Sequence, residues 1–191
     1  SPTIICHITF VSEPDDLSPL TGKELLDKKL NRWVALGALG AYNEGYYFVK
    51  DWNFFFNNTA PYTQYLIENF SKPAYFVDGG SETMTGKSLM TTAPGNIVRT
   101  AYRDWLWNYK NLTLDEQRPS WDLAAVLFAV RGEAGFFSVV EFGTLEFDKE
   151  FGSRWNNTEN NANHYFVRQI DGTDEMLANL LNEMLGLPPS M

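Results

Sequence analysis

The chain has 191 residues, 44% of them apolar and 20% charged, with 15 Lys and Arg against 24 Asp and Glu. That length suits one domain with a sizeable core, and the composition excludes disordered and collagen-like states. A formal charge of -9 disfavours a binder of phosphate backbones, so no nucleic acid partner is expected.

Pro2–Val11 (PTIICHITFV) is β-branched and nearly continuous, the pattern of a strand covered on both faces. A turn-rich stretch with Pro14 and Pro19 follows, and then KELLDKKLNR spaces Leu25, Leu26 and Leu30 for one buried helical stripe. WVALGAL (33–39) reads as the next buried strand, and TAPYTQYLIENF (59–70) as a helix with Pro61 in its first turn. PAYFVDGG (73–80) is a third buried strand. Strands alternating with helices at this spacing predict βαβ units and a parallel sheet.

Asn96–Tyr109 is the next predicted helix, and Ser120 is placed to cap WDLAAVLFAVRG, which is apolar nearly all round and expected deep in the core. FFSVVEFGTLEFD (136–148) alternates as short strands, and HYFVRQI (164–170) returns as another. Thr173 is expected to cap a last helix with Met176, Leu177, Leu180, Leu181 and Met184 on one face. The expectation is a single α/β domain over 1–191, an open, mostly parallel sheet with flanking helices, incomplete at its N-terminal side. Opening directly in a buried parallel strand leaves an apolar edge, which predicts association with a second chain or copy.

No apolar run approaches the ~18 residues of a membrane-spanning helix, so no membrane partner is expected. The opening SPTIICHITFV lacks the basic n-region of a signal peptide. Cys6 is the only cysteine, which rules out an internal disulfide and a multi-cysteine zinc site. Nucleophile elbows, phosphate loops and zinc-protease motifs are absent, and WVALGALGAYNEG lacks the spacing of a dinucleotide site. His7 reads as a packed strand residue, and His164, following NNTENNAN, as a surface residue. Four N-glycosylation sequons begin at Asn57, Asn69, Asn111 and Asn156, which leans toward a secreted glycoprotein.

Several segments in order carry a more specific signal: PDDLSPLTGKELLDKKLNRWVALGALG, DWNFFFNNTAPYTQYLIENFSKPAYFVDGG, TGKSLM and RPSWDLAAVLFAVRG. Together they resemble the inosine-uridine nucleoside hydrolase family, over the part of its chain that follows an N-terminal aspartate cluster. The resemblance implies the family's open α/β sheet and hydrolysis of the N-glycosidic bond of ribonucleosides. It also implies a Ca²⁺ that grips ribose hydroxyls and an activated water. Carried onto this chain, Asp122 in SWD becomes the C-terminal calcium carboxylate and Thr9 a backbone-carbonyl ligand. Asp51 and Asn53 in DWN meet ribose hydroxyls, and Asn43 meets the 5′-hydroxyl. Asp122 equally suits the first turn of a helix without any ligand, and Asp51 and Asn53 equally suit a turn.

The chain departs from the family at the aspartate cluster, which no stretch supplies. Ca²⁺ takes 6–8 oxygen ligands, usually several of them carboxylates. Asp51 also stands where the family usually has Glu, which draws the carboxylate back by over ~1 Å. The expectation is a hydrolase-like protein inactive by itself and active when a second segment supplies the aspartates. The alternative is a non-catalytic binding, defence or storage protein built on the same scaffold, as a homo-oligomer.

Overall fold

The computed structural model describes residues 13–43, 47–55 and 58–187. The predicted first strand (2–11), and with it Thr9 and His7, lies outside them. The described chain is mixed α/β, with six α-helices and a mixed sheet flanked by helices. It divides into two compact units, one made of the chain up to Gly79 with Ala125–Arg168, the other of Gly80–Ala124 with the chain from Gln169 onward.

In the first unit, helix α1 (Gly22–Lys29) starts at a capping box. Glu24 N donates to Thr21 Oγ1 (3.2 Å) while Thr21 N donates to Glu24 Oε2 (2.9 Å), which satisfies two donors that a helix start leaves without partners. Strand β1 (Trp33–Leu36) follows, then a short helix α2 (Trp52–Phe55), helix α3 (Ala60–Asn69) and strand β2 (Ala74–Asp78). Lys72 ties the entrance of β2 to the end of α1 by donating to the carbonyls of Asp27 and Leu30.

Beyond helix α5 (Trp121–Arg131) come β5 (Phe137–Val140), the β6 (Thr144–Asp148) and β7 (Gly152–Asn156) hairpin, and β8 (His164–Gln169). The main sheet runs β1-β2-β8-β5. β1 pairs parallel with β2, Trp33 opposite Ala74, and β2 pairs parallel with β8, Ala74 opposite His164. The parallel βαβ reading therefore holds for 33–78. Strand β7 was not legible from sequence, because GSRWN has neither alternation nor a β-branched residue.

The core of this unit is aromatic. The Trp33 ring meets Phe70 (5.9 Å, 76°) and Phe76 (5.6 Å, 80°) edge-on, and Phe54 meets Phe147 in the same way (5.8 Å, 79°). Such edge-to-face pairs add about 0.5–1.5 kcal/mol each beyond the area they bury. Phe54, Phe76, Phe166 and Trp155 are all buried, the last on the inner face of the hairpin.

The second unit contains a short ribbon, β3 (Met84–Thr85) against β4 (Arg118–Pro119), a 3-10 turn (Lys87–Thr91), helix α4 (Ile97–Trp105) and helix α6 (Asp174–Gly186). Asn96 caps α4, its Oδ1 accepting from Val98 N (2.8 Å) and Arg99 N (3.0 Å). The helix predicted over 96–109 is α-helical only to Trp105; Leu106–Lys110 widens into a π turn that ends at left-handed Asn111. Asn182 on α6 accepts from Gly86 N (3.1 Å) and Ser88 Oγ (2.9 Å), holding the 3-10 turn.

Four expectations about helices need correction. Ser120 offers its backbone carbonyl to Ala124 N (2.9 Å), while its hydroxyl binds Thr85 Oγ1 (2.6 Å). Thr173 likewise makes no side-chain cap; its hydroxyl donates to Ile170 O (2.7 Å). Helix α5 is not buried all round, since Val126 and Val130 are exposed, and α6 buries Leu177 and Leu181 while Met176 and Met184 face out.

Candidate functional site

In open α/β sheets, ligands bind outside the carboxyl ends of the parallel strands. Here the chain leaving the carboxyl end of β1 makes a tight loop, Gly37–Asn43. Gly37 has no room for a side chain, because a Cβ there would lie 2.3 Å from the Phe54 ring. Ala38 (φ 59°) and Gly40 (φ 73°) take left-handed conformations, and an alanine accepts one only when surrounding contacts hold it.

Two carboxylates supply that hold. Ala38 N donates to Asp51 Oδ2 (3.1 Å), and Gly40 N donates to Asp78 Oδ2 (2.8 Å). Ala41 N closes back on Ala38 O (2.9 Å), and Trp155 N donates to Ala41 O (3.0 Å), so the β6–β7 hairpin braces the loop from its other side. Asn43 ends it, its Nδ2 donating to Gly40 O (3.0 Å) and Tyr47 O (3.2 Å).

Asp51 is buried, and its other oxygen, Oδ1, accepts from Asn53 N (3.0 Å) and Phe54 N (3.2 Å), capping α2. Burial pushes its carboxyl above the usual range, and the N–H donors of Phe54, Ala38 and Asn53 oppose that rise. Asp78 is raised for the same reason, opposed by the Gly40 amide and the Arg168 charge. Arg168, opposite Asp78 on β8, lays its guanidinium 5.0 Å from the centre of the Tyr42 ring.

The structure thus ties Asp51 and Asn53 to the loop at the carboxyl end of β1 that ends in Asn43, whose own carboxamide is spent on Gly40 and Tyr47. Asn53 is half-buried, and among the described residues its carboxamide has no hydrogen-bond partner. Asp122 belongs to the second unit, exposed in the first turn of α5, where a carboxylate suits the helix dipole; it too has no side-chain partner among the described residues. Thr9 is outside the described residues. Among the described residues, no three His, Cys, Asp or Glu side chains are grouped to hold a metal ion.

Sequence reasoning missed Asp78, although a strand ending in Asp-Gly-Gly signals a turn carboxylate. It also placed His164 wrongly. His164 is 4% exposed, the first residue of β8. Its Nδ1 accepts from Leu145 N (3.2 Å) and lies 3.0 Å from Thr144 Oγ1. Burial lowers its pKa from 6.5 to about 4, against a hydrogen bond to the Ile67 backbone. It joins the sheet to the hairpin and faces no solvent.

No protein-family model matches this chain, and neither a curated protein nor a solved structure matches it.

Proposed function

We propose that this chain carries the ribose-binding part of a nucleoside-hydrolase-like site and cleaves the N-glycosidic bond of ribonucleosides only when a second segment supplies an aspartate cluster. The observation that carries this reading is the doubly anchored loop at the carboxyl end of β1, where Asp51 holds both the Ala38 amide and the turn that carries the unengaged Asn53 carboxamide. Preorganised polar groups at that end of a parallel sheet suit a hydroxyl-rich ligand.

In this reading the Asn53 carboxamide, with no partner of its own, donates to and accepts from ribose hydroxyls. Asp51, whose oxygens already accept three backbone N–H groups, holds Asn53 in place rather than meeting the sugar itself. The resemblance gives Asp122, in the second unit, to a cation. A bound Ca²⁺ would lower the pKa of a water, and its remaining oxygen ligands have to come from the second segment.

The test is ribose and inosine binding by titration calorimetry with and without Ca²⁺, followed by chromatographic detection of free base. Measurable ribose binding that Asn53→Ala weakens at least tenfold, with no base release from this polypeptide alone, is the expected result. Base release above buffer, abolished by Asp122→Ala, would show that the chain needs no second segment. No ribose affinity at millimolar concentration overturns the reading altogether.

The burial of Asp51 among three backbone donors favours a second reading, a non-catalytic binding, defence or storage protein on the same scaffold. Stoichiometry separates the two: a copurifying polypeptide with an aspartate cluster supports the hydrolase, and a homo-oligomer alone supports the second reading.

A further inference from the structure

We infer that Asn111 is an N-glycosylation site, and that the folded protein excludes a glycan from Asn69 and Asn156. All three begin Asn-X-Ser/Thr sequons, and because an N-linked glycan is bulky and sits at the surface, a folded chain carries one only where the fold leaves the amide and its neighbours free.

The fold uses two of the three. Asn69 ends α3 with its Nδ2 donating to Tyr65 O (2.8 Å); Phe70 beside it is buried against Trp33, and the Ser71 hydroxyl donates to Asp27 Oδ1 (3.1 Å). Asn156 ends β7 with its Nδ2 donating to Glu146 Oε1 (2.6 Å), while its Oδ1 accepts from Thr158 N (2.8 Å) and Thr158 Oγ1 (2.7 Å). A saccharide on either amide has to displace the side-chain bond that the amide nitrogen already makes.

Asn111 differs in every respect. It is exposed, it closes the π turn in a left-handed conformation (φ 53°), and its side chain has no partner among the described residues. Leu112 and Thr113 are exposed as well, and the Thr113 hydroxyl is engaged only by its near neighbour Asp115. Trp107 and Tyr109 precede it at 61% and 76% exposure. Sugar rings stack their C–H faces on such aromatics, and a glycan here covers an apolar patch that otherwise faces water.

The chemistry is transfer from a lipid-diphosphate-linked oligosaccharide. The Asn111 Nδ2–C1 bond forms, the bond from C1 to the diphosphate oxygen breaks, and the amide nitrogen loses one proton to a base on the transferase. A molecule modified at Asn69 or Asn156 fails to complete its fold and is retained by the cell.

The test is expression of the full chain behind a secretion leader in a eukaryotic host, with site occupancy read by mass spectrometry of glycopeptides. Secreted protein with Asn111 occupied and Asn69 and Asn156 bare is the expected result. Asn111→Gln and Thr113→Ala should each remove that glycan; the second keeps the left-handed asparagine and controls for misfolding. Secreted protein bare at Asn111, or with comparable occupancy at Asn69 or Asn156, overturns the inference.

Discussion

Asp78, the last residue of β2, accepts the backbone N–H of Gly40 at 2.8 Å across 38 residues of sequence. Through this bond the end of one parallel strand sets the path of the chain leaving its neighbour. Asp78→Ala leaves that amide without its acceptor, and loss of a hydrogen bond to a charged partner costs about 1.5–3 kcal/mol. Urea denaturation should show a loss of that size, and the Gly40 amide should exchange faster with solvent. Asp78→Asn keeps an acceptor oxygen and should cost less than half as much.

Asp51 holds three amides, those of Ala38, Asn53 and Phe54. Asp51→Ala removes both a helix cap and a buried acceptor, so its cost should exceed that of Asp78→Ala and reach about 3–4 kcal/mol. The same equilibrium unfolding measurement ranks the two. Asp122→Ala, at an exposed helix start with no partner among the described residues, should stay within about 1 kcal/mol of the parent.

His164 is held neutral, with a pKa of about 4 against 6.5 for the free side chain. Between those values the unfolded chain binds a proton that the folded chain refuses, so stability present above pH 6.5 is lost as pH falls toward 4. The loss amounts to roughly 3 kcal/mol over that window. Asp51 and Asp78, with raised values, act in the opposite sense as pH falls. Comparing parent and His164→Gln removes their contribution: the parent should lose stability steeply from pH 6.5 to 4, and the variant should lose much less.

Gly152 opens β7 at φ +113°, and a Cβ there would lie 2.2 Å from Val49 O. That carbonyl accepts from Ser153 N (2.9 Å), while Val49 N donates to Ser153 O (2.8 Å). Gly152→Ala should therefore cost about 2–4 kcal/mol, combining backbone strain with a broken bridge. Gly95→Ala, with open space around it, is the matched control and should change the melting midpoint little.

Much of the scaffold is local information. Thr21 and Glu24 stand at capping-box spacing before a leucine stripe, and WVAL and AYFVD are apolar enough to be read as buried parallel strands without any partner in view. Asp51 and Asn53 were legible only as turn residues by type; that Asp51 caps a short helix came from the structure.

His164 was not legible, because the polar NNTENNAN before it points to a surface, while the sheet register that carries it inside is set by Ala74 ninety positions away. Helix α5 shows the same limit. Its composition is apolar on every side, and only its neighbours in space decide that Val126 and Val130 stay wet.

The amino-acid order by itself determined the alternation of strands and helices, since hydrophobic period, caps and turn residues act within a few positions. Which carboxylate holds which loop, which histidine stays neutral and which sequon keeps a free amide were decided by tertiary structure alone. Each depends on desolvation and hydrogen-bond distance, and those exist only once residues far apart in the chain have been brought together.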